Sequence, residues 1–298
     1  MSAPQLRFTT LDVFTSTRFS GNPLAIVHVS KELKNVLSQT QKQTIAREFN
    51  LSETVFMHEG NPDGPIDIDI FTTDTELPFA GHPSIGSGWY LFSRHPTKDR
   101  ITLRTKAGDI PVIKSGNGKV RLQVPIDFKV HRCSIHPRVK LLQPQLEELD
   151  YINGLEGSEA VASIVKGMTF LLLQLASKDA LGRLQPPAER LSVPGLGEWD
   201  GFVGLYCFYK HEDGVLHTRM FDGSLEDPAT GSAAATLTAW LAKERGQGVW
   251  QFDIVQGSEM GRRSEIEATV GVNAGGEVEK VELSGNAVEI MEGIIRSE

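Results

Sequence analysis

Two stretches of the chain, 150 residues apart, share one pattern in which a polar loop leads into an apolar helix. The first covers residues 71–91 and the second covers residues 221–241. In the second stretch, residues 231–242 carry no charge. A helix that is apolar on all sides is buried within a protein, and this run is too short to span a membrane. Each stretch therefore predicts a loop that feeds the N-terminus of a buried helix.

The two stretches align without a gap when 150 is subtracted from the second numbering. The identical pairs are Phe71 with Phe221, Glu76 with Glu226, Pro78 with Pro228, Gly81 with Gly231 and Leu91 with Leu241. Five identities in 21 positions can also arise by chance. Because the shared period is half of the chain and both copies have the same loop and helix pattern, we favour a duplication over a solenoid.

Length and composition are those of an ordinary globular protein. The 298 residues predict two domains, and 40% hydrophobic with 23% charged residues is an average composition. The net charge of −8 argues against a nucleic-acid partner. Because no stretch resembles a signal peptide or a membrane span, we expect a cytoplasmic location and no membrane contact. Cys133 and Cys207 are too few for a disulfide scaffold, and we expect buried free thiols.

The hydrophobic periodicity predicts many short strands and few helices. We expect an amphipathic helix within residues 31–50, with a break near Ser38 left open, a hairpin turn at Gly108-Asp109 and a connection over residues 125–144. We also expect a short helix over residues 145–152. The expected strands cover residues 6–14, 24–29, 51–56, 67–71, 101–106, 110–114, 120–124, 169–176, 201–210, 215–221, 250–255, 265–270, 278–284 and 288–295.

These strands follow one another too closely for repeated βαβ units. A sheet wrapped around one central helix in each half fits the pattern best. The sequence therefore predicts an α+β fold with two pseudo-symmetric domains, each a barrel-like β-sheet around a central helix. The N-terminal domain is expected over residues 1–128, completed by the C-terminal strand 286–298, and the C-terminal domain over residues 129–285.

Three titratable residues stand out by their position in the repeated pattern: Glu53, His82 and Asp227. Each has a plain structural alternative. Glu53 can face solvent on an alternating strand, His82 can merely cap a loop, and Asp227 before a proline can be a turn residue. The duplication favours a functional interpretation, because two helix N-termini would form an anion site between the halves. A carboxylate and an imidazole beside such a site are suited to proton transfer.

Other functional motifs are absent from the sequence. It contains no cysteine pair or His-x-x-x-His unit that would suggest zinc. It also contains no glycine-rich nucleotide loop and no nucleophile elbow around Gly257-Ser258-Glu259. We therefore expect neither a metal nor a cofactor.

Five sequence blocks resemble those of the PhzF family, the phenazine-biosynthesis-like proteins. They run in family order along the whole chain, at residues 19–25, 46–54, 76–83, 226–233 and 256–262. The resemblance implies the diaminopimelate-epimerase-like fold, with two pseudo-symmetric barrel-like domains and the site in the cleft between them. It also implies a homodimer, because the family is usually dimeric.

The resemblance implies roles for individual residues. Glu53 matches the family's acid/base glutamate, and His82 and Asp227 match polar residues that assist the proton movement. The remaining matches are substrate-binding positions, namely Asn22, Gly81, Gly231 and Ser232. In the family's best-known member the reaction is a cofactor-free isomerisation of trans-2,3-dihydro-3-hydroxyanthranilate. We thus expect an isomerase that moves a proton on a small carboxylate-bearing substrate.

The chain also departs from the family pattern. Asp67-Ile68-Asp69 stands where many members have Arg, and Thr73 replaces a usual Pro. These added acids lie near the first loop and helix, so they bear on the choice of substrate. Two thiols at the paired helix starts, as in related epimerases, are not present.

Two alternatives stay open at this point. The chain can be a catalytically silent small-molecule binding protein, or an epimerase or lyase acting on a related acid. For the catalytic interpretation we expect burial to raise the pKa of Glu53 toward the working pH, since a good proton carrier needs a pKa near that value.

Overall fold

The computed structural model describes residues 5–61, 63–132, 140 and 143–296. Within them the chain divides into two compact units. The first unit runs to Gln123 and resumes at Ser284, and the second is Val124–Leu283. No helix in the described ranges is both long enough and apolar enough to cross a membrane.

The elements of the first half are β1 (Gln5–Val13), β2 (Asn22–Val29), α1 (Gln39–Phe49), β3 (Thr54–His58), β4 (Ile66–Phe71), β5 (Glu76–Leu77), α2 (Gly81–Arg94), β6 (Arg100–Thr105), β7 (Gly108–Lys114) and β8 (Val120–Gln123). Those that follow are β9 (Lys129–His131), β10 (Ala160–Val165), β11 (Met168–Gln174), α3 (Lys178–Arg183), β12 (Phe202–Lys210), β13 (Leu216–Asp222), β14 (Leu225–Asp227), α4 (Gly231–Arg245), β15 (Gly248–Gln256), β16 (Ser264–Val272), β17 (Val278–Gly285) and β18 (Ala287–Arg296).

In the first unit the sheet surrounds α2. β18, β1 and β2 pair antiparallel in that order, β2 runs parallel to β3, and β3 pairs antiparallel with β4. β4 pairs antiparallel with β5 and parallel with β6, and β6, β7 and β8 form an antiparallel run. α2 contacts strands from both ends of this series, including β18, β1, β7 and β8. The sheet therefore curls around the helix.

Two glycines let the strands approach α2 closely. A Cβ atom on Gly86 would lie 2.5 Å from Cδ2 of Leu24, and one on Gly88 would lie 2.6 Å from Cγ1 of Val112. Contacts this short do not occur with real side chains, so both positions require glycine despite its low helix propensity. The small residues of α2 thus allow a helix to fit inside the curled sheet.

The second unit has the same order of pairings around α4. β9, β10 and β11 pair antiparallel, and β11 runs parallel to β12. β12 pairs antiparallel with β13, which pairs antiparallel with β14 and parallel with β15, and β15 pairs antiparallel with β16. α4 contacts β10, β11, β15 and β16. The recurrence of this order supports the hypothesis of a duplication.

Several sequence-based boundaries are wrong. The helix expected within residues 31–50 begins only at Gln39, but the break left open near Ser38 is confirmed, because Ser38 is the N-cap of α1 and accepts a hydrogen bond from the N–H of Gln41 at 3.2 Å. Gly108 belongs to β7, and the hairpin turns two residues earlier, since Gly108 with φ of +111° lies at the exit of the turn.

Other elements were missed or misjudged in type. The connection expected over residues 125–144 contains β9, while residues 133–139 and 141–142 lie outside the described residues. β10 was missed, and a 3₁₀ turn at Glu148–Asp150 replaces the short helix expected there. By contrast, α4 starts where the uncharged run was expected to begin, at Gly231, and it ends at Arg245, before Gly246 with φ of +86°.

Candidate functional site

Glu53 and His82 are brought together in the first unit. Glu53 immediately precedes β3, and His82 is the second residue of α2. Nδ1 of His82 lies 2.9 Å from Oε2 of Glu53. The His82 side chain is only 3% exposed, whereas Glu53 keeps 18% of its side-chain surface open to solvent. The solvent-facing alternative for Glu53 is therefore wrong, because the carboxylate is paired with a buried imidazole.

The sheet topology explains why Asn22 lies next to this pair. Because β2 and β3 are parallel, with Ala25 opposite Thr54, the starts of both strands meet at the same edge. Asn22 is buried at the start of β2, and its side-chain amide lies 3.2 Å from Oγ of Ser52, within hydrogen-bond distance. Ser52 also makes a side-chain hydrogen bond with Glu53. Asn22, Ser52 and Glu53 thus form one polar group.

The charge state of Glu53 differs from the sequence-based expectation. Burial alone would raise the pKa of Glu53, but the charge of His82 and the hydrogen bonds of His82 and Ser52 outweigh it, so the pKa lies below its ordinary value. The expected rise is therefore wrong for the protein without substrate. Glu53 is a carboxylate at neutral pH, which is the form of a general base.

The second ring nitrogen of His82 has no protein partner in the described part of the chain. Nε2 is buried and lacks a hydrogen bond, while Nδ1 is occupied by Glu53. Leaving a buried polar atom unpaired costs about 1–3 kcal/mol. A ligand group that reached Nε2 would remove this cost, and the plain loop-capping interpretation of His82 does not account for it.

Both central helices begin with backbone N–H groups that no cap side chain satisfies. The N-cap of α2 is Ala80 and that of α4 is Thr230, and neither side chain accepts a hydrogen bond from its helix. Gly81 opens α2 ahead of His82, and Gly231 and Ser232 open α4. Uncapped N–H groups at the positive end of a helix dipole attract anions. Each helix start can therefore hold a carboxylate.

Asp227 is a buried residue of the second unit. It ends β14 opposite Met220 of β13 and is 8% exposed. The Thr230 hydroxyl donates to Oδ2 of Asp227 at 2.5 Å, and Nε2 of Gln256 donates to its main-chain oxygen at 2.8 Å. Asp227 is therefore a buried residue that is hydrogen-bonded within its loop and not a solvent-facing turn residue.

The acids that depart from the family pattern lie on the α1 side of the sheet. Asp67 pairs with Lys34 at 2.6 Å. Asp69 lies 2.5 Å from Lys42 and 2.7 Å from Nε2 of His58. These partners hold the pKa of Asp69 below its usual value, although burial opposes them. Both acids are thus engaged in ion pairs.

The face of β4 to which the acids belong also points to α1. Asp69 lies opposite Phe56 in the register of β3 and β4, and Phe56 packs with Ile45 and Ala46 of α1. The carbonyl of Thr73 accepts a hydrogen bond from Nε of Arg47 at 2.9 Å. Asp67 and Asp69 are therefore engaged with Lys34 and Lys42, just before and within α1, whereas proline in place of Thr73 would offer the same carbonyl. Nothing in these contacts links the departures to the choice of substrate.

Sequence reasoning missed two residues beside Asp227, namely Thr230 and Gln256. A signal for Thr230 existed, since threonine is a preferred N-cap residue and here stands directly before the helix. Gln256 lies in the last of the five family blocks, but nothing in the sequence indicated that it reaches the loop 26 positions earlier.

The remaining candidates are quickly placed. Cys207 is a buried free thiol in β12, as expected, and burial raises its pKa. Cys133 lies outside the described residues. In the described ranges no group of three or more His, Cys, Asp and Glu side chains is arranged to hold a metal ion.

Known proteins resemble this chain over nearly its full length. The family model described as phenazine biosynthesis-like protein matches residues 11–293. The trans-2,3-dihydro-3-hydroxyanthranilate isomerase of Pseudomonas aeruginosa is 35% identical over 298 residues, covering 96% of this chain and 98% of that protein.

Solved structures agree on the fold. A phenazine biosynthesis protein of the PhzF family from Bacillus anthracis superposes with a TM-score of 0.81 at 21% identity, covering 98% of this chain and 99% of that one. A hydroxyproline epimerase from Agrobacterium vitis gives a TM-score of 0.61 at 12% identity, covering 99% and 93%. The predicted α+β fold class is thereby confirmed.

Proposed function

Because the chain belongs to the phenazine biosynthesis-like family, we propose that it is an isomerase that moves a proton on a small carboxylate-bearing substrate by acid/base catalysis without a cofactor. The observation that carries the proposal is the pair of Glu53 and His82, with 2.9 Å between Nδ1 and Oε2. A buried imidazole fixes the carboxylate, and the lowered pKa means that Glu53 is ionised at neutral pH, which is the form that can accept a proton.

The reaction neither consumes nor releases a proton overall. The Glu53 carboxylate removes a proton from one carbon of the substrate, and the electron pair of that C–H bond shifts into the adjacent unsaturated system. The protonated Glu53, whose side chain is 18% exposed and can exchange its proton with water, then delivers a proton to a second carbon. His82 keeps its Nδ1–H directed at Glu53 throughout, and its Nε2, which has no hydrogen bond to the described residues, would be available to a group of the substrate.

The relative from Pseudomonas aeruginosa indicates the substrate class. We propose a cyclic, unsaturated hydroxy acid similar to trans-2,3-dihydro-3-hydroxyanthranilate. Its carboxylate would be held by the N–H groups of Gly81 and His82 or of Gly231 and Ser232. Asn22 would orient the substrate from the start of β2, and Asp227 would assist the proton movement.

Solvent deuterium exchange tests this proposal. The protein is incubated in D₂O with a panel of cyclic unsaturated and hydroxy acids that includes the relative's substrate, and deuterium at carbon is followed by NMR. Glu53→Gln keeps the shape of the side chain but removes the base, so exchange and turnover should fall about 10²–10⁴-fold. Glu59→Gln, an exposed glutamate just beyond the other end of β3, is the matched control and should retain activity.

Two results would contradict the proposal in different ways. Tight binding of a panel member without any exchange would favour the alternative of a silent binding protein. If Glu53→Gln stays within a few-fold of the unmodified protein while Asp227→Asn is inactive, then Asp227 is the base and the roles are reversed.

The anion-binding role of the helix starts has its own test. Crystals soaked in sulfate or a small carboxylate should show density at the N–H groups of residues 81–82 or 231–232. Density elsewhere with none at either helix start would count against this part of the proposal. The homodimer and the cytoplasmic location expected from the sequence stay predictions.

A further inference from the structure

We infer that Thr230 and Gln256 are positioning residues that hold Asp227 as an oriented, ionised carboxylate. The inference deepens the proposed function, because it rests on the assisting role proposed for Asp227. It is carried by a chain of hydrogen bonds in the second unit that joins Tyr206, Gln256, Thr230 and Asp227.

The orientation of the Gln256 amide is fixed by its main-chain partners. Its Nε2 donates to the carbonyl oxygen of Asp227 at 2.8 Å, and its Oε1 accepts from the N–H of Thr230 at 3.3 Å. A carbonyl can only accept and an N–H can only donate, so the amide cannot be turned over. Gln256 is fully buried, so water does not compete for these bonds.

This orientation decides where the Thr230 proton points. The second N–H of Gln256 donates to Oγ1 of Thr230 at 3.0 Å, which leaves the hydroxyl proton free to be donated. That proton goes to Oδ2 of Asp227, 2.5 Å away. A hydroxyl that donates to a carboxylate stabilises the ionised form. The chain therefore favours Asp227 as an anion with one oxygen held in place.

Thr230 makes this bond in place of the side-chain cap bond that an N-cap residue usually makes. As the N-cap residue of α4 it could accept a hydrogen bond from the first turn, which ordinarily stabilises a helix. Its side chain makes no such cap bond. One side chain thus both leaves the first turn of α4 without a side-chain cap and orders Asp227.

The first unit is an internal control for this arrangement. It builds the same junction, with Glu76 opposite Phe71 where the second unit has Glu226 opposite Phe221. The positions that correspond to Asp227, Thr230 and Gln256, the last one by the register of β4 with β6 and of β13 with β15, are occupied there by Leu77, Ala80 and Thr105. The fold can therefore make such a loop and helix start without this chain of hydrogen bonds.

Two further features hold the chain of hydrogen bonds in position. The Tyr206 hydroxyl is 3.1 Å from Oε1 of Gln256 and 3.0 Å from Oγ1 of Thr218. Because Oε1 can only accept, Tyr206 donates to it, and burial raises the pKa of Tyr206, so this proton is retained. Gly257, with φ of +73°, lets the next turn approach the loop, since a Cβ there would lie 2.7 Å from the oxygen of Pro228.

Titration of Asp227 tests the inference without any substrate. The carboxyl carbon is observed by ¹³C NMR in the whole protein and identified by its loss in Asp227→Asn. Thr230→Val has the same shape without the hydroxyl and should raise the pKa of Asp227 by about one to two pH units. Thr230→Ser restores the hydroxyl and should restore the pKa.

The matched control is Thr238→Val. Thr238 is a fully buried threonine of the same helix, and its hydroxyl donates to the main-chain oxygen of Ala234 at 2.8 Å. The same substitution there should leave the pKa of Asp227 unchanged. An unchanged pKa in Thr230→Val, or an equal rise in Thr238→Val, would overturn the inference.

Gln256 acts on the carboxylate of Asp227 through the hydroxyl of Thr230, and this series arrangement leads to a second prediction. Gln256→Met should also raise the pKa of Asp227, and adding it to Thr230→Val should raise the pKa little further, since both act through one hydroxyl proton. Fully additive shifts would contradict the series arrangement. Should Gln256→Met not fold, Tyr206→Phe perturbs the chain from its far end and should raise the pKa by less than Thr230→Val.

The two proposals fail separately. If the pKa of Asp227 responds as expected but no acid exchanges deuterium, the positioning role stands and the proposed function is wrong. If deuterium exchange depends on Glu53 but the pKa of Asp227 is unchanged in Thr230→Val, the proposed function stands and this inference is wrong.

Discussion

In mild acid the protein loses stability, and replacing His28 by Gln should abolish a large part of that loss. His28 lies on β2, with Nε2 2.9 Å from Oγ1 of Thr9 and its ring 5.2 Å from that of Tyr90. Burial, followed by the charges of Arg7 and Arg94, lowers the pKa of His28 to about 4, and Glu292 opposes this only weakly. Gln is uncharged at every pH and can keep a hydrogen bond to Thr9.

The sign and size of the effect follow from proton linkage. In the unfolded chain His28 binds a proton below the ordinary histidine pKa of 6.5, whereas in the folded protein it stays neutral down to about pH 4. The unfolded state therefore takes up more protons in this window, and the contribution of His28 is complete above pH 6.5 and is lost as the pH falls toward 4. At pH 5 the loss is about 2 kcal/mol, as an upper figure because His28 is only partly buried.

Urea unfolding at pH 8 and at pH 5 measures this contribution. The difference in free energy of unfolding between His28→Gln and the unmodified protein should shift in favour of the variant by about 2 kcal/mol on going to pH 5. All other titrating groups are common to both proteins, so they cancel in the difference. Parallel stability curves over this range would refute the reasoning, since they would mean that His28 titrates alike in both states.

Three other outcomes follow from the packing and from the family. Arg219→Met should destabilise the protein by about 3–5 kcal/mol in urea unfolding, because it leaves Glu226, whose side chain is only 11% exposed, without the bond made at 2.7 Å. A cost below about 1 kcal/mol would show that the pair is dispensable. Gly88→Ala should cost about 1–3 kcal/mol through its clash with Val112, whereas Gly182→Ala in α3, with no atom within 4 Å, should be neutral or stabilising. Equilibrium sedimentation at micromolar protein should show a dimer, and a single species at the 32.7 kDa chain mass would contradict the expected assembly.

The central helices and the candidate residues follow from local sequence. The small and apolar residues of α4 make a helix that only a protein interior can accommodate, and the loop before it contains the turn formers that end a strand. A spacing of 150 residues between two such segments is visible without any structure. Local composition therefore suffices to locate α2 and α4 and to mark His82 and Asp227 beside their starts.

Short elements were harder to predict because their signals are weak. β10 has small residues next to apolar ones, and β9 has only three residues, so neither shows a clear period of two. The start of α1 depends on the capping box between Ser38 and Gln41. In the sequence, apolar residues upstream of Ser38 favoured an earlier helix start and obscured this signal. Such boundaries are decided by a few hydrogen bonds, and hydrophobic periodicity does not report them.

Partners of polar residues were decided only by the tertiary structure. His82 meets Glu53 because α2 passes beside the start of β3, and this contact reverses the direction expected for the pKa of Glu53. Asp67 and Asp69 find their cations on the α1 side of the sheet. Gln256 reaches Thr230 across 26 positions because β15 lies parallel to β13. A sequence fixes which groups can donate, accept or carry charge, but which of them pair depends on strand order and register, which arise from contacts between segments far apart in the chain.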